Sequence, residues 1–324
     1  MKPWFLGVIS CMLVACSSPL RREEIAPEER AKAFELAQLA LVGLEKGELG
    51  QARMLARDAL DRDPFCYEAL VANGRVALTQ EKVGEAESQF RMALELEPKR
   101  VEAYVGLGEA ALKINRFESA STHFAEAARL DPHNPAALRG QARACTELGR
   151  DQEVLDILHE YLEINPTDVD ANLMMGKALL KRKPARVSEA EFYLTQAAKQ
   201  EPKNIDVLNA LGVVRLRCKR FDDAAGLFEA ALTLDPNRAD LHCNLGIVQE
   251  QGFNASAMAE SQYRRALAID AVHAPSVLRL ADLLAGTGRR DEAVQLLEGA
   301  ERDPRTNRAD KESFREKRRS LPAP

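Results

Sequence analysis

Residues 97–132 read EPKRVEAYVGLGEAALKINRFESASTHFAEAARLDP, a stretch that opens and closes on an acidic residue followed by proline. Pairs in which an acidic residue or asparagine precedes proline stand at Asp63-Pro64, Glu97-Pro98, Asp131-Pro132, Asn165-Pro166, Glu201-Pro202 and Asp235-Pro236, and successive prolines are 34, 34, 34, 36 and 34 residues apart. A fixed period of this size marks a repeated supersecondary unit that cannot bury its own apolar face and must stack on its neighbours. Proline cannot continue the helix that precedes it, so each pair closes one unit.

Aligned on that period, small residues fall into columns. The eighth place holds Ala40, Gly74, Gly108, Ala142, Gly176, Gly212, Gly246 and Ala281. The twentieth holds Ala52, Ala86, Ala120, Val154, Ala190, Ala224, Ala259 and Ala293, and the twenty-seventh Ala59, Ala93, Ala127, Tyr161, Ala197, Ala231, Ala266 and Ala300. Small side chains at the first two places let the helices of one unit approach closely, and those at the third let the second helix meet the next unit. Phe90, Phe124, Phe228 and Tyr263, with Leu107, Leu211 and Leu245, are the expected filling between helices.

The pattern resembles the tetratricopeptide repeat family. That resemblance implies an all-α fold, a right-handed superhelical solenoid of about eight helix-turn-helix repeats over residues 31–307, with a polar capping helix and tail at 308–324. Three departures stand out. The fifth repeat has two extra residues in the turn from Lys181 to Arg186, and the seventh has one near Gly252-Phe253-Asn254-Ala255. The fourth carries Val154 and Tyr161 in alanine columns, which predicts a second helix held away from its neighbours or tilted.

Residues 1–15 read as a signal segment: Lys2 supplies the positive start, and the apolar run that follows is about a dozen residues, short of the ~20 needed to span a bilayer. The residues alone fit an ordinary secretory signal cleaved near Ala15, an uncleaved anchor, or a lipoprotein signal. The ending Leu13-Val14-Ala15-Cys16 resembles the last of these. The resemblance implies cleavage before Cys16, acylation of that cysteine with palmitate-type chains, and, since Ser17 rather than Asp follows, transfer to the periplasmic face of the bacterial outer membrane. Each buried CH₂ contributes roughly 0.8 kcal/mol, so several chains on one residue anchor it durably. Residues 16–30 then form the lipidated N-terminus and a short polar tether.

Composition narrows the function. With 46% hydrophobic, 29% charged and 5% aromatic residues and a net charge of −5, the chain is that of an ordered protein without the basic stripe that follows a phosphate backbone. Lys317-Arg318-Arg319 is too short a block to change this, so nucleic acid is not an expected partner. Gly106-Leu107-Gly108-Glu109-Ala110-Ala111 fits a dinucleotide fingerprint but lies within a helix, with no strand before it. His159-Glu160-Tyr161-Leu162-Glu163 begins like a zinc-protease motif and lacks its second histidine. No nucleophile, acid–base or metal constellation emerges; no enzyme activity and no cofactor or metal is expected. Among the six cysteines, Cys145 is expected as a small buried hydrophobe, and Cys218 and Cys243 as thiols too far apart to pair.

In the resembled family the first helix of each repeat lines a concave groove that holds peptides or partner helices. The inward places carry Arg75, Arg139, Arg143, Lys177, Lys181, Asn209, Arg217 and Asn244, with Leu173, Met174, Val213, Leu216 and Ile247 among them. Such a basic, amide-bearing groove suits a partly acidic or chain-terminal peptide, held by charge and through its backbone. The lysine, asparagine and arginine arrangement with which some family members clamp heat-shock chaperone tails is absent. Lipid anchor and repeats together resemble the outer-membrane lipoproteins of type IV or tight-adherence pilus biogenesis, which implies a periplasmic scaffold whose partner is a secretin or pilus component. The alternative is an adaptor that brings a periplasmic protease or peptidoglycan hydrolase to the envelope.

Overall fold

The computed structural model describes residues 24–321, so Cys16 and the signal segment lie outside it. The described residues form helices and no strand. They run in pairs: α1 (Pro27–Glu45) with α2 (Leu49–Arg62), α3 (Tyr67–Thr79) with α4 (Val83–Leu96), α5 (Val101–Lys113) with α6 (Phe117–Leu130), and α7 (Pro135–Glu147) with α8 (Asp151–Ile164). The series continues with α9 (Val169–Lys181) and α10 (Val187–Gln200), α11 (Ile205–Arg217) and α12 (Phe221–Leu234), α13 (Ala239–Gln251) and α14 (Ser256–Ile269), and α15 (Ala274–Gly286) and α16 (Arg290–Arg302). A single helix, α17 (Arg308–Ser320), follows. Helix α1 starts at Pro27, so the last residues of the stretch read as tether are helical. The residues divide into two compact blocks with the boundary between Gly140 and Gln141, inside α7.

The columns explain the packing within each block. Every residue at the eighth, twentieth and twenty-seventh places is buried. In the first block, the Phe90 ring fills the space above Gly74 and Gly106; a Cβ added at Gly74 would lie 2.7 Å from that ring. Phe124 stands in the same relation to Gly108 and Gly140, so both glycines of the G-x-G string have a packing role. In the second block, Gly212 admits Phe228 and Gly246 admits Tyr263.

Outside the fifth repeat, every first helix is closed by a left-handed residue, a feature the columns did not reveal. Gly47, Glu81, Asn115, Gly149, Lys219, Asn254 and Gly288 all have φ between 50° and 81°. The next N–H then reaches back to close the helix, as Lys82 does to the Ala77 carbonyl at 2.9 Å and Arg220 to that of Arg215 at 2.8 Å. The acid–proline pairs shape the turn into the next repeat, since the carboxylates of Asp63, Asp131 and Asp235 accept from the N–H two residues on.

In the fourth repeat Val154 and Tyr161 are buried despite their bulk. The Tyr161 hydroxyl donates to Asp168 at 2.7 Å, and the other oxygen of that carboxylate caps α9 by accepting from the Ala171 N–H at 2.8 Å. Between α8 and α10 the surface opens into cavities of about 370 and 250 Å³ that share His159 and Tyr193. Helix α17 buries Phe314 in one cluster with Leu280, Leu284 and Leu297. Its basic run is tied down: Lys317 pairs with Asp282 at 2.7 Å and Arg318 with Glu298 at 3.1 Å.

Candidate functional site

Two inward stretches of basic residues are spelled out by the sequence, and their surroundings differ. In the second block the first helices α9 and α11 frame a cavity of about 270 Å³. Its walls are Val154, Met174, Ala178, Leu180, Ala210 and Val213, and Lys177, Lys181 and Asn209 stand at it with Thr146 and Asp151. Three of the predicted groove residues and two of their apolar neighbours therefore meet at one place. Both lysines are exposed, and among the described residues neither has a hydrogen-bond or ion-pair partner. An apolar hollow beside two ammonium groups that form no ion pair can take a short apolar side chain with a carboxylate next to it.

The asparagines are hydrogen-bonded within the chain. Asn244 Nδ2 donates to Asn209 Oδ1 at 2.8 Å, and Asn209 Nδ2 donates to Asp240 at 2.8 Å. Arg238 holds Asp240 in turn, at 2.8 Å, and also reaches Asp206 at 2.9 Å; its guanidinium keeps the Asp240 carboxyl below its usual range even though burial pushes the other way. The amides thus link α11 to α13 and fix one wall of the cavity. Arg217 is likewise engaged, donating to the Leu180 carbonyl at 2.7 Å in the last turn of α9, where helix carbonyls otherwise lack partners. Arg143 is exposed in the same block.

In the first block Arg75 and Arg139 surround Glu109, a half-buried carboxylate at an inward place. Burial pushes the Glu109 carboxyl above its ordinary value, and Arg75, Arg139 and Lys113 pull it back down. The acid that a ligand would bring to these arginines is already present in the chain.

The described thiols differ in exposure. Cys66, Cys145 and Cys243 are buried and Cys218 is exposed. Burial pushes the Cys66 thiol up to about 11, far from the thiolate needed for nucleophilic work. Among the described residues no group of His, Cys, Asp and Glu could hold a metal ion, and no helix is long and apolar enough to cross a membrane.

Profiles of the tetratricopeptide repeat match residues 37–101, 71–120 and 105–169, and a second profile of the same description matches 183–245. The chain belongs to the tetratricopeptide repeat family. It is similar to the type IV pilus assembly protein PilF of Pseudomonas aeruginosa, with 29% identity over 129 residues, 39% of this chain and 50% of that protein. The match thus spans about half the length of that relative. The solved structure of the Pseudomonas aeruginosa protein superposes with a TM-score of 0.61 at 20% identity, covering 66% of this chain and 96% of the other. A tetratricopeptide repeat protein from Parabacteroides merdae gives 0.64 at 16%, covering 78% and 97%. At such identities the superpositions show the fold. In tetratricopeptide terms, the cavity lies between the first helices of the fifth and sixth repeats, and the Glu109 cluster on the first helices of the second to fourth.

Proposed function

We propose that this tetratricopeptide repeat protein is a lipoprotein anchored through Cys16 to the periplasmic face of the outer membrane, where it scaffolds the assembly of a pilus or secretion machine. It is a binder, and its ligand is a segment of a partner protein that presents an apolar side chain beside a carboxylate. The observation that carries the binding role is the apolar cavity flanked by Lys177 and Lys181, neither of which forms an ion pair among the described residues. Similarity to a pilus assembly protein supports the pathway, and the Leu13-Val14-Ala15-Cys16 ending supports the anchor.

A photo-crosslinking side chain placed at Val213, in cells of the source bacterium, tests the scaffold. It should label a secretin or another pilus or secretion component, and labelling should vanish when Lys177 and Lys181 are both changed to Glu. Labelling that persists unchanged in the double variant would refute the site. Membrane fractionation of Cys16→Ser tests the anchor separately: the protein should leave the outer membrane, and its retention there would refute lipidation at Cys16.

A further inference from the structure

The start of the array presents a face that is covered in later repeats. In α5 and α13 the residues at the third, seventh and tenth places share one apolar cluster with the twenty-fourth and twenty-seventh residues of the preceding second helix. Ala103, Leu107 and Ala110, for example, lie against Phe90 and Ala93. In α13 these places hold Leu241, Leu245 and Val248, which are between 0% and 4% exposed beneath α12, and the sixth place holds an amide, Asn244. Helix α1 carries Glu35, Gln38, Leu39 and Val42 at the third, sixth, seventh and tenth places. The amide, the leucine and the valine of α13 thus recur in α1, with glutamine for asparagine. Yet Leu39 is 56% and Val42 42% exposed, because no second helix precedes them among the described residues.

We infer that the outer face of α1 is a docking site for an α-helix of a partner protein, which takes the position a preceding second helix would hold and continues the series of interfaces inside the array. The helix that fills this position over the matching face of α13 defines its chemistry. Helix α12 lays Ala224, Phe228 and Ala231 on Leu241, Leu245 and Val248, so the seam is an aromatic ring with alanine four residues before it and three after. Glu35 adds a second requirement. It replaces Leu241 of α13, is exposed, and has no ion-pair partner among the described residues. Second and first helices run antiparallel across their short turns, so the third place of a repeat, held by Leu241 in α13 and by Glu35 in α1, meets the end of the incoming helix. The partner therefore brings lysine or arginine in its last turn, where a cation also suits the helix dipole. A second copy of this chain does not meet these requirements: its alanine–phenylalanine and alanine–leucine seams are already buried by its own first helices, and α1 against α1 would set Glu35 against the apolar face or against its own copy.

The test uses the full purified protein in detergent and a fluorescent, helix-stabilised peptide of residues 220–236 with Leu232→Lys, a change in the last turn of that helix. Saturable binding is expected, weakened at least tenfold by Leu39→Asp, an exposed position at which folding should survive. Glu35→Lys should invert the preference, so that the peptide with Leu232→Glu binds better than the Lys form. An affinity indifferent to Leu39→Asp overturns the inference. So does binding that appears only when residues 17–23 are deleted, which would make that segment the occupant. Self-association abolished by Leu39→Asp would make it a second copy and overturn it equally. The crosslink at Val213 is unaffected by any of these changes, so this site and the concave cavity stand or fall separately.

Discussion

On sequence alone, Arg75 and Arg139 of the first block resemble Lys177 and Lys181 of the second, four cations at inward places of first helices, and they differ in what faces them. Arg75 and Arg139 lie close enough to Glu109 to pull its carboxyl down, whereas the lysines border an apolar hollow, with Asp151 also on its rim, and have no ion-pair partner among the described residues. A positive charge attracts a ligand only to the extent that the protein has not already neutralised it. The inward cations without an ion-pair partner at the cavity, Lys177 and Lys181, both stand on the first helix of the fifth repeat.

The largest expected effect tests this directly. Reversing both Lys177 and Lys181 to Glu replaces two attractions with two repulsions, and the affinity for an acidic peptide ending in an apolar residue should fall about 100-fold, roughly 2.7 kcal/mol. Arg75→Glu should change it less than threefold, as read by fluorescence anisotropy. If the two variants lose affinity equally, the distinction between the blocks is wrong.

Glu109→Gln should make the first block resemble the second. With the Glu109 carboxylate no longer offsetting the charge of Arg75, the first block should bind the same acidic peptide about tenfold more tightly than it does in the wild type, close to 1.4 kcal/mol. The substitution also alters pH dependence. The folded-state value of Glu109 is raised above 4.5, so the stability tied to its protonated form is present below that pH and lost as pH rises through the raised value. Denaturant melts from pH 4 to 7 should show that loss in the wild type and not in Glu109→Gln.

The fold was legible because its requirements are local and repeated: a helix pair closes only over small residues at fixed places, and the columns record them. The inward places were legible for the same reason of register. What faces each inward cation was only partly so. Glu109 stands at the ninth place, like Arg75, Arg143 and Lys177, and its charge at that place was the available signal. The bond from Arg217 to the Leu180 carbonyl leaves no trace in sequence, since every residue has a carbonyl. Nor do Asn209 and Asn244 show beforehand that they hydrogen-bond to each other. Asn244→Ala should cost about 1 kcal/mol of stability by leaving Asn209 short of a partner, while changing peptide affinity less than threefold. A larger loss of affinity than of stability would return the amides to direct contact with ligand.

The smallest effect compares the two blocks at one equivalent place. Glu81 and Lys219 both occupy the left-handed position that closes a first helix, at φ of 60° and 58°, where other repeats have Gly47, Gly149 and Gly288. A side chain with a Cβ is strained there by roughly 1 to 2 kcal/mol relative to glycine, and glycine's greater freedom in the unfolded chain offsets part of the relief. Glu81→Gly and Lys219→Gly should each stabilise the protein by about 0.5 to 1 kcal/mol, seen as a higher denaturant midpoint at unchanged slope. The two gains should be equal, since the turn geometry is the same in both blocks and neither side chain reaches a groove cation. An unequal pair would mean that the blocks differ in their backbone frame as well as in the charges set upon it.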